Sequence, residues 1–231
     1  MKTIQETDKE FICDIQAPCF QLLLPDEIEL VRASKTQVIF RKGDSLTKQG
    51  AFASYILFII SGFAKQYVED NGIKNFNLQI IKPGEFVGLS AVFTKVPFSY
   101  SIVAITNCHA FLIEKEAIGN VVKQNGMFGY NIIKRYCEQN SNLYISLRTV
   151  LYKQMNGRLA EALLYLDGLK DIEPSVFQLL NRKDIADFAN ISVENAVKLL
   201  KSFEKDGLIE LKEKNIVIIK KNELIETSKR G

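Results

Sequence analysis

Asn181–Ile219 reads NRKDIADFANISVENAVKLLKSFEKDGLIELKEKNIVII, and its pattern decides the fold of the C-terminal part of the chain. Asn181 is a good N-cap, and Asp184 falls at the third helical position, facing free backbone donors and the positive dipole end. Ile185, Phe188 and Ala189 follow at i, i+3 and i+4 as one apolar stripe. Asn190 tolerates the left-handed conformation that a tight turn needs. Ile191 plugs the angle between two helices, and Ser192 caps the second, with Glu194 in its first turn.

That second helix has two faces. Ala196, Leu199, Leu200 and Phe203 lie along one side and are expected to be core. Val193, Glu194, Val197, Lys198 and Lys201 lie along the other. Glu194 can accept from a cytosine amino group, Lys198 can donate to guanine O6 and N7, and Val193 or Val197 can touch a thymine methyl. These groups crowd the N-terminal half, the end of a recognition helix that enters the major groove. Gly207 ends the helix as a C′ residue. Leu208–Leu211 and Ile216–Ile219 flank the turn KEKN and predict a β-hairpin wing, with Lys212 and Lys214 at its tip suited to phosphates. Arg182, at the start of the first helix, joins the candidate DNA contacts. The stretch is a winged helix-turn-helix; its alternative use is as a protein-interaction module.

The segment Arg182–Ile209 resembles the DNA-binding domain of the Crp/Fnr family. Its run ISVENAVK is similar to that family's S-x-E-T-x-x-R recognition core, with Ser192, Glu194 and Lys198 at the matching positions. Asn195 replaces the usual threonine, and Lys198 the usual arginine. Lysine lacks the planar fork of arginine, which loosens base discrimination there. Val193 before the glutamate looks more like the fumarate-nitrate regulator branch than the cAMP branch.

Upstream, Pro25–Ala33 is predicted as a short helix. From Gln37 to Ile113 the pattern is β: VIF, YILFII, FAKQYV, FNLQII, SIVAI and HAFLI, separated by turns at Gly43, Gly50, Gly62, Gly72, Gly84 and Gly88. Asn71-Gly72 between alternating apolar runs is a strong hairpin signal. Short strands at regular spacing suggest a jelly-roll or barrel. The glycine order, with GEFVG at Gly84–Gly88, resembles the cyclic-nucleotide-binding β-roll, so the family resemblance covers nearly everything after about residue 20.

Glu116–Lys123 is a short predicted helix, and a long one follows from about Gly126 to Met155. Along it Tyr130, Ile133, Cys137, Asn140, Tyr144, Leu147, Leu151 and Gln154 alternate three and four apart. This is a heptad seam, in which Asn140 can set the register of a parallel pair. In the family this helix forms the homodimer interface. Asn156-Gly157 has the position of a hinge, and Arg158–Leu166 that of the first helix of the last domain. The expected fold class is α+β: residues 1–124 a double-stranded β-helix or jelly-roll sensor domain, 125–155 a central dimerisation helix, and 156–231 the winged helix-turn-helix. A symmetric dimer places two recognition helices on half-sites about one helical turn (~34 Å) apart. The resemblance implies duplex DNA, a second copy of the chain and RNA polymerase as partners.

Composition agrees with a globular protein: 231 residues, 47% hydrophobic and 25% charged. No apolar run approaches the ~20 residues needed to cross a bilayer. The charged start MKTIQETDKEF lacks a signal-peptide core, which predicts a cytoplasmic protein without membrane association. Net charge is only +3, and residues 158–231 carry 13 basic and 13 acidic side chains. DNA affinity must therefore lean on dimerisation and on local placement of lysines.

The sensor half departs from the cAMP-binding pattern that the resemblance supplies. Gly88 is followed by Leu89 where those members have a ribose-binding glutamate. Their Arg-Ser phosphate pair falls at Ser99-Tyr100, and no arginine occurs in Leu89–Tyr100. A cyclic phosphate without a bidentate cation loses its strongest contact. The family's polar pair on the central helix falls near Leu143 and Tyr144. The expected effector pocket comprises Phe86, Gly88, Leu89, Ser90, Ser99, Tyr100 and Tyr144, with Phe93 and Phe98, a lining suited to a small apolar or amphipathic effector or to no ligand. An iron–sulfur cluster needs four cysteines, three of them in the N-terminal arm in the fumarate-nitrate branch; this arm holds only Cys13 and Cys19. The sequence argues against cAMP and against a cluster, and names no cofactor or metal. A haem sensor using His109 or a cysteine as axial ligand, and a redox link through Cys137, stay open as alternatives. A cupin-type enzyme needs several histidines, and the chain has one. With no GxSxG, P-loop or paired-cysteine spacing either, the expectation is a non-enzymatic regulator.

Overall fold

The computed structural model describes residues 1–12, 20–70, 74–169 and 172–231. Cys13, Cys19 and the Asn71-Gly72 turn lie outside the described residues. The elements run β1 (Lys2–Ile4), α1 (Pro25–Ala33), β2 (Lys35–Phe40), β3 (Ser45–Thr47), β4 (Tyr55–Ser61), β5 (Ala64–Asp70), β6 (Lys74–Ile81), β7 (Phe86–Val87), α2 (Ser90–Phe93), β8 (Ser101–Ala104), β9 (Cys108–Glu114), α3 (Lys115–Gln124) and α4 (Gly126–Tyr152). Then come α5 (Met155–Asp167), α6 (Val176–Leu179), α7 (Arg182–Ala189), α8 (Val193–Lys205), β10 (Ile209–Lys212), β11 (Asn215–Ile218) and α9 (Lys221–Arg230). All six apolar runs between Val38 and Ile113 contribute a strand.

Two sheets form the roll, in the orders β1-β2-β9-β4-β7 and β3-β8-β5-β6. The period-2 rule explains why β4 is apolar almost throughout. Leu57 and Ile59 join Val38, Phe40, Ala64, Ile102, Cys108 and Ala110 in a core contributed by both sheets. Ile56 and Phe58 belong to a second core, with Phe20, Phe111, Ile113, Ile118, Val121 and Phe128, where helices cover the other face. Each such side chain contributes about 1.5–3 kcal/mol when fully buried. Gly62 is required where β4 leaves for β5: its φ is +83°, and a Cβ there would lie 2.1 Å from the Asn107 carbonyl oxygen.

By compactness the chain divides into Met1–Val68 with Gln79–Asn140, and Glu69–Leu78 with Ser141–Gly231. In the first, Phe128 and Ile132 root the start of α4 in the helix-side core, and Arg135 Nη1 donates to the Gly84 carbonyl at 2.7 Å. In the second, α5 packs with α7, α8 and α9 around Leu159, Leu163, Leu166, Ile185, Leu200, Phe203 and Leu224, all buried.

Three expectations need correction. The long helix stops at Tyr152, so the bend is Lys153-Gln154, and Asn156-Gly157 sits in the first turn of α5. Gly157 is small for another reason: a Cβ there would lie 2.7 Å from the Gly231 carbonyl oxygen. The first helix of the last domain runs Met155–Asp167, longer than Arg158–Leu166. The wing strands reach Lys212 and Asn215, because those residues also pair, which leaves a two-residue turn with Glu213 at φ 47°.

Candidate nucleic-acid interface

The helix-turn-helix is assembled by reciprocal caps. Asn181 Oδ1 accepts from the Asp184 amide and Asp184 Oδ2 from the Asn181 amide, each at 2.9 Å, so two orphan donors of α7 are satisfied. Asn190 ends α7 in the left-handed conformation, φ 51° and ψ 45°. The amide of buried Ile191 donates to the Ala186 carbonyl, and Ser192 Oγ accepts from the Asn195 amide at 3.2 Å. The turn angle is thus set by residues that the pattern singled out.

On α8, Ala196, Leu200 and Phe203 are buried, and Leu199 is half-buried. Val193, Glu194, Lys198 and Lys201 are exposed and Val197 is half-buried, so the five candidate base-reading side chains share an open face. Ser192 is exposed at its start, and Arg182 is half-buried at the first residue of α7. Hydrogen bonds from its own backbone N–H, then the Ser192 side chain, then the charge of Lys198, hold the Glu194 carboxyl below its ordinary value. Glu194 is therefore an acceptor only at neutral pH, suited to a base amino group.

The wing follows Gly207, whose φ of +70° lets the chain turn back. Its ladder pairs Ile209 with Ile218 and Lys212 with Asn215. Lys214 is exposed at the tip. Lys212 is also exposed, but its ammonium is 3.0 Å from Glu210 Oε2, so a phosphate would compete with that carboxylate. Asn195, the residue in place of the family threonine, donates through Nδ2 to Met155 Sδ at 3.3 Å. It turns toward α5, a contact no local pattern could reveal.

The residues of the expected effector pocket are placed one by one as follows. Phe86 is core: its ring lies 4.9 Å from Phe58 and 5.6 Å from Phe20. Leu89 packs against the same core. Ser90 begins α2, Ser99 and Phe93 are exposed, and so is Tyr144. Gly88, at φ +85°, is covered by Phe98, whose ring a Cβ would approach to 3.2 Å. The Phe98 and Tyr100 rings are 5.6 Å apart. Burial pushes the Tyr100 phenol up, a hydrogen bond with the Gly88 backbone opposes this, and Tyr136 of α4 adds to the rise. Tyr136 lies one residue off the heptad seam and is exposed.

His109 is buried in β9, with Nε2 3.1 Å from Gln37 Oε1, and burial lowers its pKa against the pull of Glu10. Cys108 is buried, with its thiol pushed up to about 11 by desolvation. Cys137 is exposed on α4. Among the described residues no three His, Cys, Asp or Glu side chains group as metal ligands, and no helix is long and apolar enough to cross a membrane.

The cyclic nucleotide-binding domain family matches residues 37–125, and the Crp-like helix-turn-helix domain family matches residues 157–227. No curated protein matches by sequence. Among solved structures, a Crp/Fnr-family protein of Eubacterium rectale is 17% identical, aligned over 92% of this chain and 98% of its own, with a TM-score of 0.73. FixK2 of Bradyrhizobium japonicum is 16% identical over 84% and 96%, with a TM-score of 0.72. The c-di-GMP-responsive global regulator CLP of Xanthomonas campestris is 19% identical over 84% and 98%, with a TM-score of 0.72. At these identities the structures establish the shared fold. The two matched domains, in this order along most of the chain, place the protein: the chain belongs to the Crp/Fnr family of DNA-binding transcriptional regulators.

Proposed function

We propose that the protein acts as a homodimer in which α4 pairs with its symmetry mate and the two α8 helices read a palindromic site. The observation that carries this is the seam of α4. Tyr130, Ile133, Tyr144, Leu147 and Leu151 are each more than half exposed, an apolar stripe that a lone chain would leave in water. Cys137 and Asn140 lie on the same stripe and are exposed. The base-reading residues are Val193, Glu194, Val197, Lys198 and Lys201. Ser192, Arg182, Lys212 and Lys214 supply backbone contacts that set register. RNA polymerase is the partner through which such a regulator acts.

The reading includes independence from cAMP. Its support is chemical: Leu89 replaces the ribose carboxylate, Ser99-Tyr100 replaces the phosphate pair, and Phe98 covers Gly88. A cyclic phosphate would meet aromatic carbon where it needs a cation.

Sedimentation of the wild type against the double variant Leu147→Lys, Leu151→Lys tests the dimer. The wild type is expected to sediment as two chains, and the variant as one folded chain that binds only half-sites. A monomeric wild type that binds DNA as tightly as the variant would overturn the reading.

A further inference from the structure

The bend between α4 and α5 is only two residues long, yet it is not a free swivel. The Lys153 amide still donates to the Thr149 carbonyl at 3.1 Å, and the Arg158 amide to the Gln154 carbonyl at 2.9 Å. The two helical ladders therefore abut, with Gln154 in extended conformation at ψ 172° as the only break. The Lys153 carbonyl, which a helix end leaves without a partner, accepts from Arg158 Nε at 2.7 Å.

The Lys153 side chain is held as well. Its ammonium lies 2.7 Å from Glu161 Oε2 on α5 and 2.7 Å from Ser228 Oγ on α9, and Ser228 donates in turn to Glu161 Oε2. The Lys153 side chain is only 15% exposed and Ser228 only 4%. Burial raises the Glu161 carboxyl, but hydrogen bonds from Lys153 and Ser228 and the charges of Lys153 and Arg148 outweigh it, so the group stays ionised. A lysine at a bend ordinarily keeps its head in water. Taking this one out of water costs desolvation and rotamer entropy, so the arrangement is a poor device for stability alone. It is a good device for fixing an angle, because three elements meet on one cation.

We propose that Lys153 and Ser228 are positioning residues for the recognition helix. Through them α9 completes a three-way clamp that holds the α4–α5 bend at one angle, and this angle sets the half-site spacing that a dimer accepts. α5 is the element against which α7 and α8 pack, so its direction at Lys153 carries the reading head. One extra base pair between half-sites shifts them by about 3.4 Å and turns them by about 34°. A loose two-residue bend absorbs such a change; a clamped bend does not. The inference rests on the dimeric, palindrome-reading function proposed above.

The test measures affinity for four duplexes: the preferred palindrome, the same half-sites with one base pair added to the spacer, the same with one removed, and a single half-site. The proteins are wild type, Ser228→Ala, Lys153→Met and Glu161→Gln. Wild type is expected to discriminate against the altered spacers by ~10-fold or more. Ser228→Ala and Lys153→Met are expected to bring that ratio below ~3-fold while half-site affinity stays within ~2-fold of wild type. Tryptic cleavage after Lys153, slow in wild type, is expected to quicken several-fold in Ser228→Ala. Should spacing discrimination persist in folded Ser228→Ala, or should all four duplexes weaken by one common factor, the clamp is merely structural and the proposal fails. A wild type with no preference for any spacer defeats the dimeric reading itself, and the clamp with it.

Discussion

The Glu204 carboxylate on α8 accepts the Leu211 amide of β10 at 3.0 Å. The wing is thereby fastened to the last turns of α8, so the proposed reading helix and the proposed phosphate contacts would move together. Glu204→Ala is expected to lower stability by about 1 kcal/mol, the usual net worth of such a bond, measured by urea unfolding. DNA affinity should fall more than stability, because the wing then has to be ordered on binding. An unchanged affinity would separate the wing from recognition.

Lys198 and Lys214 are both exposed cations, and the proposed function gives them different tasks. Lys198→Ala is expected to cost about 1–3 kcal/mol at one base pair per half-site and to relax preference there. Lys214→Ala is expected to weaken all sequences alike and to reduce the salt slope by about 1. Titrations on matched and single-substituted sites, at several salt concentrations, distinguish the two. Interchanged phenotypes would place the wing tip in the groove.

Cyclic AMP is expected not to bind. Calorimetry with the purified protein should give no heat of binding at micromolar ligand, and Phe98→Ala should not restore it, because removing the ring over Gly88 supplies no cation. Micromolar affinity in the wild type would contradict this account of the sensor half.

The Cys108 thiol carries a pH signature. Desolvation, partly opposed by hydrogen bonds with Thr106 and Phe63, raises it from 9.0 to about 11. The unfolded thiol ionises first, so the stabilisation from this group is complete below pH 9 and fades as pH rises toward about 11. Urea midpoints of wild type and Cys108→Ala should therefore converge across that window. A constant gap would mean that the thiol is not held neutral. In the monomeric Leu147→Lys, Leu151→Lys variant, thiol reagents at neutral pH should modify Cys137 well before Cys108.

Much of this was legible in the chain because the signals are local. The Asn181–Asp184 and Ser192 caps, the left-handed Asn190 and the apolar stripe of α8 depend on residues a few positions apart, and each lies where the pattern puts it. The strands of the roll follow for the same reason, period-2 alternation between turns. What was not legible depends on distant parts of the chain. Phe86 packs against Phe20 and Phe58, neighbours that no local pattern supplies. Gly157 resembled a hinge, but its size answers to Gly231. The bend is fixed instead by Lys153 and Ser228, 75 residues apart. α9 has only Leu224 and Ser228 buried, too thin a stripe to stand out by periodicity.

Selection of bound duplexes from random sequence by the wild-type protein tests the central claim most directly. A two-fold symmetric motif is predicted, its half-sites about one helical turn (~34 Å) apart, with the preference at one position of each half-site lost in Lys198→Ala. Recovery of an asymmetric motif, or no enrichment at all, would contradict it.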